Sequence, residues 1–432
     1  MLLTILVLLG VFFVLVLMGV PIAVSIALAS LTTLMLSMGF DPATTTMAQR
    51  LAGGLDSFTL LAIPFFVISG YIMGRGGIAR RLIEAAKALI GTLPGGLALV
   101  NTLSCMLFGA ISGSAVAATS AIGTFMIPTM EDEGYDRDFS TAVTVTGSIL
   151  GLLIPPSNVL IVYAVAAGSV SIAALFMAGY LPGILAGLAL MIVAAGYSKR
   201  ANYPRSARLP LGEALRKLGD AAPSLAMIFI VVGGIIAGIF TATEASAIAV
   251  IYSLVLSMIY REVSVSDLSG ILLKSIETTA MVLLLIGVST GMAWVLAYGN
   301  IPQAVSDALL GVSDNPFVIL LMINIVLLIV GAFLDITPAI LIFTPIFLPV
   351  AMALDMSALH FGIMLVLNLS IGLCTPPVGS VLFVGCAVGE TTIQKLVRPL
   401  GLLYIALIVA LLLVTYVPFI SEGLPRAFDL MD

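Results

Sequence analysis

Apolar runs of about 20 residues follow one another from end to end of this chain, each long enough to cross a hydrocarbon core about 30 Å thick at about 1.5 Å of helix per residue. A backbone in that solvent must close its own hydrogen bonds, so the runs predict helices throughout. Of 432 residues only 9% are charged and 61% are hydrophobic, where a soluble domain is roughly a quarter charged and half apolar. The expectation is an all-α polytopic membrane protein. Segments crossing or entering the bilayer are expected at 1–19, 22–39, 57–74, 93–112, 114–130, 140–168, 172–197, 222–240, 243–260, 276–298, 316–334, 337–353, 359–389 and 398–419.

The sparse charges fix a threading. With the N-terminus outside, the connections 75–92, 131–139, 198–221, 261–275 and 390–397 fall in the cytoplasm, and of the 17 Lys and Arg residues only Arg50 and Arg426 fall on the other side. Both termini are then expected in the periplasm. The formal charge of -5 says little about partners, and no basic patch interleaved with aromatics points to nucleic acid. Cys105, Cys374 and Cys386 lie in apolar runs without paired spacing or adjacent histidines, which argues against a disulfide framework or a metal centre built on them. Residues 1–19 lack a basic leader and continue through Pro21 into a second apolar run, as a mature helical pair does.

The chain also repeats itself. Gly151-Leu152-Leu153-Ile154-Pro155-Pro156 recurs as Gly372-Leu373-Cys374-Thr375-Pro376-Pro377, and at the same spacing Val165-Ala166-Ala167-Gly168 matches Cys386-Ala387-Val388-Gly389. Upstream, Gly109-Ala110 and Pro128 match Gly331-Ala332 and Pro349 with one gap. Connection 75–92 is basic while its counterpart 299–313 carries Asp307 and no basic residue, so equivalent connections face opposite sides. The division expected is an N-terminal helix 1–19 and two inverted repeats, 22–200 with a hairpin at 93–132 and a broken helix at 140–168, and 222–420 with a hairpin at 316–353 and a broken helix at 359–389. Each repeat also has an arm. Repeats of this kind place a binding site near the bilayer midplane.

The interruptions carry the chemistry. A proline pair inside an apolar helix removes two backbone donors and clashes with preceding carbonyls, at a depth where lipid offers no partner. The half-helix after such a break starts with exposed N–H groups suited to a carboxylate, and the half before it ends in carbonyl oxygens suited to Na⁺. Ser157 and Asn158, and Gly379 and Ser380, are small polar neighbours of the two breaks. Ser112-Gly113-Ser114 and Asp335-Ile336-Thr337-Pro338 each interrupt an apolar pair and read as tips of re-entrant hairpins. Their oxygens suit a hard cation, and a carboxylate such as Asp335 costs about 2.5 to 3.5 kcal/mol in mid-membrane unless water or a cation meets it. Two blander readings stand beside these: proline kinks satisfied by neighbouring helices, and Ser112, Ser114 or Asp335 as helix N-caps.

Elsewhere Glu244 reads as a solvated helix-start carboxylate, His360 as interfacial, and 131–139 as an acidic solvated connection. Arg80, Arg81 and Lys87 lie on an amphipathic stretch that is either an arm helix or simple topogenic charge. An intramembrane serine protease built on Ser112 and His360 lacks the glycine two residues before the serine, which here is Ala110, and a passive channel lacks a ring of like charges.

GAISGSA at 109–115, IPPS at 154–157, TATEA at 241–245 and TPPVG at 375–379 together resemble the large membrane subunit of tripartite ATP-independent periplasmic (TRAP) transporters, over essentially the whole chain. The resemblance implies an elevator mechanism with a scaffold and a transport domain in a bacterial inner membrane. It also implies Na⁺ as coupling ion with no organic cofactor, a small four-helix membrane subunit, and a periplasmic binding protein that delivers an organic anion of the sialic acid or C4-dicarboxylate type. Carried onto this chain, the cation region is Ser112, Gly113, Ser114, Ile154, Pro155, Pro156, Asp335, Thr337, Thr375 and Pro376. Substrate is expected at Ser157, Asn158, Pro338, Pro377, Val378 and Gly379. A stand-alone Na⁺/organic anion symporter or antiporter is the alternative of the same class.

Overall fold

A computed structural model describes residues 2–75, 77–168, 170–204 and 210–431. Its helices are, in order, α1 (Leu2–Leu17), α2 (Ile22–Met38), α3 (Phe40–Leu55), α4 (Ala62–Arg75), α5 (Ile78–Ile90), α6 (Gly96–Ser112), α7 (Ala115–Asp132), α8 (Arg137–Ser148), α9 (Asn158–Ala167) and α10 (Ile172–Arg200). There follow α11 (Leu211–Ile236), α12 (Ala242–Ile259), α13 (Val265–Tyr298), α14 (Ile301–Val312), α15 (Pro316–Phe333), α16 (Ile336–Ala353), α17 (Ala358–Leu373), α18 (Ser380–Val388), α19 (Ile393–Tyr416) and α20 (Phe419–Ala427). Among the described residues seven helices, α10 to α13, α15, α16 and α19, are long and apolar enough to cross a membrane, and α3 with α4 forms a further pair bent by 62°.

The duplication is visible in the packing. In the first copy α6 and α7 form a hairpin closed by Gly113 and Ser114, and α8 runs through a short 3-10 turn, Ile149–Leu152, into the break before α9. In the second, α15 and α16 form the hairpin, closed by Leu334 and Asp335, and α17 breaks before α18. Within each copy hairpin and broken helix meet at paired glycines, Gly109 against Gly151 and Gly331 against Gly372, where a Cβ on Gly151 or Gly372 would overlap the facing backbone. Polar side chains reinforce both seams: Asn101 Nδ2 donates to Thr144 Oγ1 at 2.7 Å, and Asn368 Nδ2 to Asn324 Oδ1 at 2.7 Å.

The copies then exchange partners. α9 packs along α16 and α18 along α7, while α19 lies on α8 and α10 on α17. Outside this core α2, α3, α4, α12 and α13 pack on one another, with α1 on α2 and α11 on α12. The amphipathic α5 buries Ile78, Leu82 and Ile83 and bridges α11 to α6.

The five connections expected on one side do lie together. Glu262 accepts from the Gly77 amide at 2.5 Å and pairs with Arg81 at 2.8 Å, joining 75–92 to 261–275. Lys217 meets Glu84 at 2.5 Å and Lys87 meets Glu133 at 3.9 Å, adding the third connection and 131–139. Arg137 reaches Glu390 at 3.1 Å, and Tyr135 donates to the Pro204 carbonyl at 3.2 Å. At the other end of the molecule Tyr416 donates to the Phe317 carbonyl at 2.8 Å, and Arg50 stands 5.4 Å from the Trp294 ring centre. Arg205 and Arg208, counted with the basic face, lie outside the described residues.

Three expectations need correction. Residues 40–55 are helical although polar, α13 begins at Val265 so that most of 261–275 is helix, and a short amphipathic α20 follows the last long helix. The apolar-run criterion misses all three because their helices carry polar faces.

The glycine seams predict a graded response. Gly151→Leu should destabilise the protein by about 1–3 kcal/mol or more through overpacking against Gly109. Gly196→Leu, at a position on α10 with nothing within 4 Å of a new Cβ, should leave the thermal midpoint in detergent almost unchanged. Equal midpoint shifts would contradict the seam.

Candidate functional site

At the first break the sequence Ile154-Pro155-Pro156 ends the 3-10 turn, and Ser157 starts α9. Its hydroxyl accepts from the Leu160 amide at 3.4 Å and donates to the Leu152 carbonyl. One carbonyl that the prolines strip of an N–H partner is therefore met by the chain's own serine. α10 closes in behind, because Gly179 admits the Leu153 carbonyl and Gly183 the Ile154 side chain. In front stands the first hairpin tip. Gly113 has φ +63, a left-handed turn that glycine adopts without strain, and a Cβ there would lie 2.9 Å from Asn158 Nδ2. Asn158 Oδ1 is buried without a hydrogen-bond partner. Ser114 caps α7 by accepting from Ala117 N at 3.2 Å, and Ser112 Oγ lies 3.4 Å from the Ser114 amide.

The second break is built differently. Thr375 Oγ1 donates to the Ile371 carbonyl at 2.8 Å, and the Tyr404 hydroxyl, reaching in from α19, donates to the Cys374 carbonyl. Gly379 starts α18 without a side chain to cap it, and its own amide donates to the Ala332 carbonyl at 3.2 Å, tying the break to the end of α15. Asp335 occupies the N-cap position of α16, yet its carboxylate makes no capping bond. Its Oδ1 lies 3.5 Å from Ser380 Oγ on the first residue of α18. Pro377 and Val378 are exposed at the lip of this break, whereas Pro155 and Pro156 are buried. Both proline pairs are joined by cis bonds.

Each tip thus faces the half-helix start of its own copy: Gly113 with Asn158, and Asp335 with Ser380. The copies also approach each other, since Thr337 and Pro338 lie in the first turn of α16, the helix against which α9 packs. The capping alternative holds for Ser114 and not for Ser112, the last residue of α6, or for Asp335, while Ser157 caps α9 as well. A cradle of this composition can offer hard oxygen atoms to a cation and, at α18, uncapped first-turn N–H groups to an anion.

Two other readings resolve. Glu244 closes a capping box with Thr241, its Oε2 accepting from the Thr241 amide at 2.8 Å, which is the solvated helix start expected. His360 lies at a helix start as expected, and it is buried among protein groups, 2% exposed, with Nε2 2.7 Å from the Val414 carbonyl. It stands at the first turn of α17, at the far end of that helix from the break, and does not serve Ser112. Sequence reasoning missed Tyr404, whose only signal was a hydroxyl inside an apolar run, and Gly70 of α4, where a Cβ would lie 2.7 Å from the Ser112 carbonyl oxygen.

Comparison with known proteins places this architecture. Residues 9–420 match the family described as tripartite ATP-independent periplasmic transporter, DctM component. The chain is similar to YgiK of Salmonella typhimurium, 54% identical over 98% of each chain. It is 40% identical, over 96% of its length and 65% of the relative's, to an isethionate TRAP transporter permease protein of Oleidesulfovibrio alaskensis. To the sialic acid TRAP transporter large permease protein of Vibrio cholerae it is 38% identical over 95% of this chain and 96% of that one. Among solved structures the YdaH transporter of Alcanivorax borkumensis shares the fold with a TM-score of 0.56 over 90% of each chain at 16% identity. The isethionate and sialic acid relatives are named as permease proteins of transporters, which are not enzymes. With a match that runs through both copies, both hairpins and both breaks, the chain belongs to the DctM component family of tripartite ATP-independent periplasmic transporters.

Proposed function

We propose that this protein is the large permease subunit that imports an organic acid in company with Na⁺, and that Asp335 is the residue that links the two. The observation that carries this reading is a carboxylate that does not cap its helix and lies within 3.5 Å of Ser380, on the first turn of a half-helix that has no side-chain cap of its own. An anionic substrate drawn to the start of α18 meets Asp335 as a like charge. At about 4 Å such a pair repels by about 4 kcal/mol in an effective dielectric of about 20, and a cation between them reverses the sign. Coupling follows from that electrostatics: the anion binds well only after the ion has. Asp335, Thr337, Thr375 and the carbonyls around Pro376 supply oxygens for one cation, and Ser112, Gly113, Ser114 and the carbonyls around Ile154 to Pro156 supply those for another. Asn158, with an unpartnered acceptor, Ser157, Pro338, Pro377, Val378 and Gly379 line the space left for substrate.

The relatives' named solutes, isethionate and sialic acid, are both organic acids, which supports the substrate class. They differ in chemistry at nearly equal identity, so the argument extends to the class and not to one member. Family membership supports the partners as well: a small four-helix membrane subunit and a periplasmic binding protein. The basic face supports an inner-membrane topology with that face in the cytoplasm and both termini in the periplasm.

Two measurements test the reading. In proteoliposomes containing the partner proteins, Asp335→Asn should lower Na⁺-driven uptake by about 30-fold or more, since losing even half of an interaction of about 4 kcal/mol costs about that factor. Uptake by that variant with wild-type dependence on Na⁺ concentration would sink the cation assignment. In a cysteine-free background, Lys199→Cys should react with an impermeant maleimide only in inside-out vesicles and Asp314→Cys only in right-side-out ones. The reverse pattern would invert the topology.

A further inference from the structure

The two ends of the site are unequally open. Ser112, Pro155, Pro156 and Ser157 are buried, whereas Asp335, Pro377 and Val378 are exposed, Val378 to 44%. At the closed end the first hairpin tip rests on α4. A Cβ on Gly70 would lie 2.7 Å from the Ser112 carbonyl oxygen and 3.3 Å from each of two further backbone atoms of the same residue. One turn along the helix Gly74 has room, the nearest atom to a Cβ there being the ring end of Phe108 at 3.9 Å. α4 is held from behind by α12 and α13, and Ser69 Oγ donates to the Ala249 carbonyl at 3.3 Å. It therefore belongs with the helices outside the hairpins and broken helices, and its contact with the tip joins the two groups. The facing atoms are backbone, which cannot swing aside as a flexible side chain would, so the tip reaches α4 only because residue 70 has no side chain.

We infer that Gly70 is a positioning residue of the transport cycle: by letting the first hairpin tip seat on α4, it sets the population of the arrangement in which the first break is closed and the second is open. A protein that presents one site to two sides needs at least two arrangements, and a contact made in one of them alone shifts the balance toward it. The inference rests on the transport reading but not on the choice of coupling ion, and its readout needs neither Na⁺ nor substrate.

The test uses the full chain in membrane vesicles, with Cys105, Cys374 and Cys386 replaced by alanine and Val378→Cys as the single reporter. An impermeant maleimide is applied from each side. Gly70→Ala should slow labelling of the reporter by about threefold or more, and Gly70→Val should slow it further, because both lift the tip from its seat and depopulate the arrangement that exposes residue 378. Gly74→Ala on the same helix should leave the rate unchanged. Wild-type rates in both Gly70 variants, or an equal effect from Gly74→Ala, overturn the inference. If the Gly70 variants do not accumulate, spin labels at Gly74→Cys and Val116→Cys, with Gly70 retained, report the tip-to-α4 separation directly. Two separations are expected, and a single fixed one overturns the inference.

Discussion

Everything distinctive in this molecule follows from the need to meet backbone polar groups inside the protein wherever lipid offers no partner. An uninterrupted helix satisfies that need by itself. Two proline pairs forbid it, and the structure is arranged around the consequences. Neighbouring helices must come close enough to enclose each break, and only glycine permits the approach: Gly109 on Gly151, Gly331 on Gly372, Gly179 over Leu153. Side chains supply the remaining donors, Ser157 to Leu152 in one copy and Tyr404 to Cys374 in the other. What enclosure leaves unmet is the site: the Asn158 acceptor at one break and the uncapped start of α18 beside Asp335 at the other.

The duplication makes the architecture symmetric and the chemistry unequal. In the first copy the serine that follows the prolines caps α9 and fills its own break, and it is buried together with both prolines. In the second, valine takes that serine's place in the repeat, the N-cap is the glycine after it, and the donor comes from a different helix. The hairpin tips diverge in the same way, with a neutral serine-glycine turn in one copy and a carboxylate in the other. Two copies of one scaffold thereby give a neutral tip beside a buried break and a carboxylate beside an exposed one.

Much of this is legible in the sequence. The apolar runs locate the long helices, and the repeated Gly-Leu-x-x-Pro-Pro locates both breaks, because prolines in an apolar run act on the backbone regardless of tertiary context. The five connections that carry most of the basic residues fall on one face because insertion charge is a property of the chain itself, and Arg81–Glu262, Lys217–Glu84, Lys87–Glu133 and Arg137–Glu390 show them in contact. What was not legible depends on packing. The polar helix α3 is held in place by α13 and α2 and has no apolar run to announce it. His360 is buried because Val414, distant in sequence, offers a carbonyl to its ring. Asp335 and Ser114 look alike as helix-start residues, and only the geometry shows that one caps and the other does not.

The exchange of helices between copies has a consequence for biosynthesis. The ribosome delivers the first copy whole before α16 and α19 exist, yet α9 takes its neighbour from α16 and α8 from α19. Until the last long helix leaves the translocation machinery, the first break is shielded by first-copy elements alone: its own Ser157, the glycines of α10 and the first hairpin. Insertion into the bilayer can therefore proceed segment by segment, while burial of the first interruption waits for the end of the chain. A truncation that removes α19 would damage residues translated some 250 positions earlier, at the other copy's core.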